Sequence, residues 1–319
     1  MTRFIIKRLL SMIPVVIGVA ILIFSIMYFV PGDPAQIILG NDATAEALAK
    51  TREQLGLSDP YFIRLGKFLK QTFIDFDLGK SWFIGTSVTG EIVSRFPRTI
   101  ILAVFSVIAS AIIGVPLGIT AAVHQNKLPD RLCMFFSVIF FCVPQFWLAL
   151  MLVIVLSVNL NLLPAYGIGG IEYYVIPCLA IMCEGFAMLS RQTRSSMLEV
   201  IRSDYIVTVR SQGFSQRDII YKSALPNALM PVITVLGSRF AHALGGTIII
   251  ETVFSMPGLG LYMSSAIIAR DYPIIQGCVV LLSIVFCLIM LLVDIMYAVI
   301  DPRVKGQFVD IKRKRRVSA

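Results

Sequence analysis

The stretch Asp204–Pro226, DYIVTVRSQGFSQRDIIYKSALP, is polar and basic, but it lies between two long apolar runs. Its first part predicts a short helix that stops at Gly213, because glycine commonly follows a helix end in the left-handed conformation. Ser215 precedes Asp218 by three residues, a capping-box spacing that predicts the start of a second helix. Pro226 must bend or restart that helix. A connection with this much local structure is typical of a docking element rather than of a simple linker.

The composition of the whole chain is that of a polytopic membrane protein. Of its 319 residues, 57% are hydrophobic and 15% are charged, and the mean hydropathy is +0.84. Soluble proteins contain about 25% charged residues, whereas about 20 consecutive apolar residues cross a bilayer as a helix. The apolar runs are too long and uniform for the short alternating strands of a closed barrel. The sequence therefore predicts an all-α membrane protein with six transmembrane helices, at residues 9–30, 98–123, 132–158, 175–194, 227–250 and 275–300.

Basic residues collect at one set of span ends, and this asymmetry predicts the orientation of the chain. Loop 159–174 contains no Lys or Arg, and loop 251–274 contains only Arg270. The loops after the second and fourth spans are rich in both, as are the two ends of the chain. Because positive charge favours the cytoplasmic side, we expect both termini to be cytoplasmic. The net charge of +9 then reflects topology and contact with anionic lipid, and we expect no nucleic-acid partner.

This topology divides the chain into four parts. They are the N-terminal segment with the first span (1–30), an extracytoplasmic segment (31–97), the core transmembrane domain (98–302) with its cytoplasmic loop (195–226), and a basic cytoplasmic tail (303–319). Within the extracytoplasmic segment, residues 44–55 read as an amphipathic helix that ends at Gly56. A second helix is predicted from Pro60, at its first position, to about Phe76. The segment is expected either to cover the outer face as a lid or to contact a partner protein outside the membrane.

Residues for catalysis are missing from the sequence. Gly79-Lys80-Ser81 resembles the end of a phosphate-binding loop, but Ile74 stands where the first glycine is required. The chain has only two histidines and no nucleophile motif. We therefore expect no enzymatic activity, no cofactor and no resident metal. The six cysteines lack metal-site spacing, so we expect free thiols rather than metal ligation or disulfides.

Four ionisable residues fall inside predicted spans, where charge is costly and commonly functional. Glu184 lies in the fourth span, Arg239 and His242 lie in the fifth, and Asp294 lies in the sixth. Glu184 and Arg239 are candidates for a structural pair or a water-lined cavity, or for contact with the solute along a translocation path. His242 is one helical turn from Arg239 and is expected to share its face. Asp294 is nearer the cytoplasmic end and is expected to be structural.

The stretch Asp204–Pro226 also resembles a known motif. Gly213, nine further residues, Ser223, one residue and Leu225-Pro226 match the frame of the EAA loop of bacterial ABC importer permeases, although Ser223 replaces isoleucine. Val207–Val209 stand where that motif has Glu-Ala-Ala. The resemblance implies that this loop contacts an ATPase subunit. The candidate coupling residues are Asp204, Tyr205, Arg210, Gly213, Leu225 and Pro226.

Further blocks narrow the resemblance to the first permease subunit of the dipeptide, oligopeptide and nickel ABC importers. They are Pro31-Gly32-Asp33-Pro34, Leu55-Gly56-Leu57, Asp77-Leu78-Gly79-Lys80-Ser81, Pro144-Gln145-Phe146-Trp147, the run Glu251–Gly260, Arg270-Asp271-Tyr272-Pro273 and Asp301-Pro302-Arg303. This family implies a type I importer fold in the bacterial inner membrane. Its implied partners are a second, homologous permease, two cytoplasmic ATPase subunits and an extracytoplasmic substrate-binding protein.

Two questions stay open at this stage. The first is the solute: the sequence does not choose among a dipeptide, a longer peptide, nickel, glutathione and an opine, because selectivity in this architecture resides largely in the separate binding protein. The alternative from another class is an ion-gradient-driven carrier with Glu184, His242 and Asp294 as a proton relay, although such carriers usually show inverted repeats. A membrane-bound assembly factor would leave the EAA-like loop unexplained.

Overall fold

The computed structural model describes residues 2–40 and 43–300, and within these residues the chain is helical without a β-strand. The basic tail 303–319 and the block Asp301–Arg303 lie outside the described residues. The helices are α1 (Thr2–Phe29), α2 (Pro34–Leu39), α3 (Ala45–Gln54), α4 (Tyr61–Phe73), α5 (Val88–Val123), α6 (Leu128–Cys142), α7 (Gln145–Leu152, continued by a π-helical turn Val153–Asn159), α8 (Glu172–Ile201), α9 (Asp204–Ser211), α10 (Gln216–Asp218, continued by a π-helical turn Ile219–Ala224), α11 (Leu225–Val253), α12 (Leu259–Ala269) and α13 (Tyr272–Ile300).

Among the described residues, five helices are long and apolar enough to cross a membrane, and a bent pair makes a sixth candidate. Counting the bent pair as one span gives the predicted number of six. Some of the helices extend beyond the predicted span limits. The helix of the second span begins at Val88, inside the segment predicted as extramembrane, and that of the fourth continues to Ile201. Polar turns at these ends extend the helices beyond their apolar stretch, so hydropathy alone does not mark where they end.

The third span is broken rather than merely kinked. Pro144 separates α6 from α7, and the two helices meet at an angle of 101°. Pro144 has extended dihedrals (φ −60°, ψ 133°). Val143 before it is extended too, as expected for a residue preceding proline. The structure therefore has two helices at the place of the predicted third span.

One compact unit comprises Thr99–Met256 together with the described residues up to Ile6 and from Leu288 onward. In it, α8 packs against α6, α7 and α11. Gly118 of α5 also lies against α8, so closely that a Cβ there would come within 2.6 Å of the Ser190 carbonyl oxygen. Gly237 of α11 leaves no room for a Cβ beside Val293 of α13. Small residues thus allow close helix approach, in α5 as well as in the predicted fifth span.

The second compact unit comprises Lys7–Arg98 and Pro257–Cys287. Its core is a cluster of buried apolar residues that includes Val88, Leu259, Ile275 and Cys278. Asp271 is buried beside this core and accepts hydrogen bonds from the Ser81 hydroxyl (2.5 Å) and the Trp82 backbone N–H (3.2 Å). These bonds tie the loop after α4 to the start of α13.

The two helices predicted in this unit are present, with corrected limits. Helix α3 is capped by Thr44 and ends before Gly56, whose φ of +65° is the expected left-handed conformation. Helix α4 begins at Tyr61, not at Pro60, because Pro60 is extended (φ −59°, ψ 154°) and acts as the N-cap. It also ends at Phe73 rather than at Phe76, which has a positive φ of +50°. Helices α2 and α12 were not predicted.

Candidate functional site

The loop 195–226 contains the two helices that the sequence predicts. Helix α9 ends at Ser211, and Gly213 follows with φ +81°. The Gly213 backbone N–H donates to the Arg210 carbonyl oxygen at 3.1 Å and closes the last turn. Ser215 caps α10 through a hydrogen bond from the Asp218 backbone N–H, at 3.2 Å. The capping prediction is therefore confirmed.

Pro226 is accommodated by a π-helical turn instead of a break. The turn Ile219–Ala224 precedes α11, and the Leu225 backbone N–H bonds to the Ile220 carbonyl oxygen, five residues earlier. Pro226 then occupies the first turn of α11, where a missing backbone N–H is tolerated. An extra residue in the turn thus lets the chain pass from the loop into α11 without losing helical direction.

The inner face of the loop is anchored in an apolar cluster. Ile206 and Ile219 are fully buried there, and Leu225 packs against the same cluster. The Tyr205 hydroxyl donates to the Ser223 carbonyl oxygen at 3.2 Å. It also accepts from the Asn227 side-chain amide at 2.8 Å. Tyr205 therefore ties α9 to the start of α11, whereas Leu225 packs inside the loop.

The outer face of the loop combines apolar and charged surface. Asp204, Arg210, Gly213 and Pro226 are exposed. Three large apolar side chains beside them are more than half exposed: Val207, Phe214 and Tyr221. An exposed apolar patch with charged neighbours is typical of a protein contact surface. Five of the six candidate coupling residues thus reach the surface, and Leu225 lies beneath them.

A salt bridge that sequence reasoning missed fixes the base of this loop. Asp130, in the first turn of α6, is buried and accepts two hydrogen bonds from the Arg194 guanidinium of α8, at 2.5 and 2.7 Å. It also accepts the Asn126 backbone N–H at 2.8 Å. The sequence offered one signal of this bridge: Asp130 is a single acidic residue in the basic connection between the second and third spans. Only the fold shows that its partner is Arg194, 64 positions later.

Inside the same unit, Glu184 of α8 and Arg239 of α11 form an ion pair. Their closest oxygen and nitrogen atoms are 2.6 Å apart. The Arg239 side chain is 8% exposed, whereas that of Glu184 is 29% exposed. His242 is exposed and does not join this pair, although it lies one turn from Arg239. Asp294 is half-buried. The structure therefore brings together two of the three candidate path residues.

Comparison with known proteins gives the family. Residues 114–306 match the family described as "Binding-protein-dependent transport system inner membrane component". Residues 1–103 match the corresponding N-terminal membrane component. The chain belongs to this family. It is accordingly an ABC importer permease, a multi-pass protein of the bacterial inner membrane and a transport subunit rather than an enzyme.

Curated relatives place this permease near peptide transporters. It is 41% identical to the dipeptide transport system permease protein DppB of Alkalihalophilus pseudofirmus, over 96% of this chain and 100% of that protein. It is 38% identical to the glutathione transport system permease protein GsiC of Salmonella paratyphi A, over 96% of this chain and 99% of that protein. The GsiC protein of Escherichia coli K12 has the same identity and coverage.

Solved structures support the fold of the permease. An inward-facing structure of the MetNI methionine ABC transporter matches with a TM-score of 0.57 at 18% identity. The match covers 67% of this chain and 97% of that chain. A second crystal form of the same transporter gives a TM-score of 0.55. At this identity the likeness concerns the fold alone, and it confirms the predicted all-α importer architecture.

Proposed function

We propose that this permease forms part of the translocation path for short peptides. The observation that carries the proposal is the pair of relatives aligned over nearly the whole chain, one a dipeptide and the other a glutathione permease. Both solutes are peptides of two or three residues with free carboxylates. The Glu184–Arg239 pair offers both signs of charge next to one another, which suits a zwitterionic solute.

The family implies ATPase subunits and a substrate-binding protein as partners. We propose the specific assembly of one copy of this chain, a second homologous permease, two cytoplasmic ATPases and one extracytoplasmic binding protein. In this arrangement the binding protein selects the solute and the ATPases supply the free energy. This chain then supplies a path and a mechanical connection between them.

The loop 195–226 is our candidate for that connection. Helix α9 is short, exposed on one face and anchored through Ile206 on the other. A helix of this kind fits a groove on an ATPase subunit, with Tyr205 and Arg210 as contacts, since tyrosine and arginine are favoured interface anchors. Movement of the groove on ATP binding would then pass through the bond between Tyr205 and Asn227 into α11.

Uptake by intact cells tests the proposed solute. A deletion of the gene should make cells resistant to toxic di- and oligopeptides, and the wild-type chain should restore sensitivity. Peptide uptake that is unchanged in the deletion, together with lost nickel accumulation, would assign the permease to metal transport within the same family. Uptake that continues without the ATPases but needs a proton gradient would contradict the ABC mechanism itself.

A further inference from the structure

The second compact unit contains a cavity of about 500 Å³ that the proposed transport function does not use. Its walls come from the end of α1, one face of α4, the loop after α4 and the start of α13. The side chains that give it its character are Phe24, Tyr28, Arg64, Lys80, Trp82 and Tyr272. A volume of this size is within the range of pockets that hold small ligands or headgroups.

The cavity carries positive charge without compensation from its own walls. Arg64, Lys67 and Lys80 line it, and no acidic residue does. Lys67 is neutralised by Asp59 at 2.5 Å. Within the described residues, no carboxylate lies within ion-pair distance of Arg64 or Lys80. Arg64 rests over the ring of Tyr28 at 5.1 Å, and burial lowers the pKa of its guanidinium. Two cations of the cavity, one of them partly dehydrated, are therefore not directly paired with a carboxylate, although Asp59 is near enough to act on Arg64 through its charge.

The position of the cavity along α1 and α13 indicates that it lies at the membrane boundary. Phe24 and Tyr28 lie in the last two turns of α1, and Tyr272 begins α13. Both helices are candidate membrane spans, so the cavity lies where a span meets the aqueous phase. Tyrosine and tryptophan are enriched at this level because their rings accept both environments. Elsewhere on this part of α1, Leu22 and Ile26 are exposed and leave apolar helix surface for lipid acyl chains.

We propose that this cavity binds the phosphate headgroup of an anionic phospholipid such as phosphatidylglycerol. Arg64 and Lys80 would contact the phosphate, because guanidinium and ammonium groups are the usual phosphate ligands. A zwitterionic peptide fits less well, since its ammonium group would find no carboxylate in the lining. The same absence disfavours phosphatidylcholine, whose positive choline would lie beside the two cations.

Native mass spectrometry of the purified full-length chain tests this assignment. Short-chain phosphatidylglycerol or phosphatidylcholine is added in detergent, and bound lipid per chain is counted. We expect saturable retention of phosphatidylglycerol only. The variant Arg64→Gln/Lys80→Gln should bind it about tenfold more weakly or worse, because each lost cation removes an attraction to the phosphate. Lys70→Gln is the matched control. Lys70 is exposed on α4, the helix that carries Arg64, but does not line the cavity. Its substitution should leave lipid retention unchanged.

Several results would overturn the proposal. They are equal retention of the two lipids, no loss in the double variant, or an equal loss in Lys70→Gln. Soluble glycerol phosphate and inorganic phosphate are added as competitors. Displacement of the lipid by either one at equal concentration would make the cavity a site for free phosphate rather than for lipid. Displacement by a dipeptide but not by its C-terminal amide would assign the cavity to a carboxylate. If the double variant does not fold, Lys80→Gln alone is the test, because the exposed Lys80 side chain packs against little.

Discussion

The backbone conformation at position 213 restricts which residue types fit there, whereas the space around the residue does not. Its φ is +81°, but a Cβ would meet nothing within 4 Å. Asparagine visits this left-handed region with little strain, so Gly213→Asn should keep transport near the wild-type level. Proline is locked near φ −65°, and it would also remove the N–H that Gly213 donates to the Arg210 carbonyl oxygen. We expect Gly213→Pro to insert normally and to lose ATP-dependent uptake.

The measurement compares uptake at equal amounts of inserted chain, with ATPase binding in detergent as a second readout. Normal transport by Gly213→Pro would count heavily against this loop as the coupling element. Equal loss in Gly213→Asn and Gly213→Pro would show that the side chain matters there, contrary to the open surroundings in the structure.

The Glu184–Arg239 pair predicts an asymmetric response to mutation. Arg239 is the more buried partner, so Glu184→Gln leaves a buried cation without its anion. Arg239→Gln leaves a carboxylate that is 29% exposed rather than fully buried. Loss of one partner of a fully buried pair costs about 3–5 kcal/mol, and the partial exposure of Glu184 reduces this to about 1–3 kcal/mol. We expect Glu184→Gln to lower the melting temperature in detergent more than Arg239→Gln does.

Both variants should lose peptide uptake only in part, because the solute is selected mainly outside this chain. His242→Gln serves as the stability control, since His242 is exposed and outside the pair. Unchanged melting temperatures with abolished uptake would instead indicate direct contact between the solute and these charges.

The sequence identified these two charges because ionisable residues are rare in apolar spans. It left open whether they pair with each other, since Glu184 and Arg239 are 55 positions apart. The bridge between Asp130 and Arg194 was missed for the same reason. Contacts between distant positions depend on how helices pack, and a single sequence carries no direct signal of that.

Helix packing predicts opposite changes in stability for two glycine-to-alanine substitutions. In an exposed helix, alanine is more favourable than glycine by about 1 kcal/mol. Gly245 of α11 has open space around it, so Gly245→Ala should stabilise the chain. A Cβ at Gly118 would come within 2.6 Å of the Ser190 carbonyl oxygen and of the Thr193 Cβ. Gly118→Ala should therefore destabilise it, by about 1–3 kcal/mol.

Thermal unfolding in detergent measures both effects in one experiment. A lower melting temperature for Gly118→Ala beside an unchanged or higher one for Gly245→Ala supports the close approach of α5 and α8. Equal shifts in the same direction would mean that helix propensity alone decides, and that these two helices are not packed as closely as the structure has them.

At the scale of the element, hydropathy located all six spans, and turn residues located α9 and the start of α10. Helix α12 was missed because Leu259–Ala269 is apolar but too short to span a membrane. Its ends are set by Gly258 and by Arg270, which adopts the left-handed conformation with φ +57°. Arginine gives no advance signal of that conformation, and the 101° bend at Pro144 likewise depends on packing around it.

For the molecule as a whole, family membership establishes an inner-membrane permease, whereas its orientation rests on the charge asymmetry of the loops. Single cysteines in a cysteine-free background test that orientation with an impermeant thiol reagent. Lys127 and Gln212 are exposed in basic loops, and Ile171 is 77% exposed in a loop without basic residues. Gly169 is unsuitable as a reporter there, because a Cβ would collide with the Tyr173 ring.

In intact cells, cysteine at Lys127 or Gln212 should be protected from the reagent, and cysteine at Ile171 should be labelled. Permeabilised cells should label all three, which separates protection by the membrane from protection by burial. Positive charge resists translocation, so loops rich in lysine and arginine stay on the cytoplasmic side, where ATPase subunits can reach them. The reverse pattern would put the loop 195–226 outside the cell. That loop could then not contact an ATPase, and the coupling role would have to move to another part of the chain.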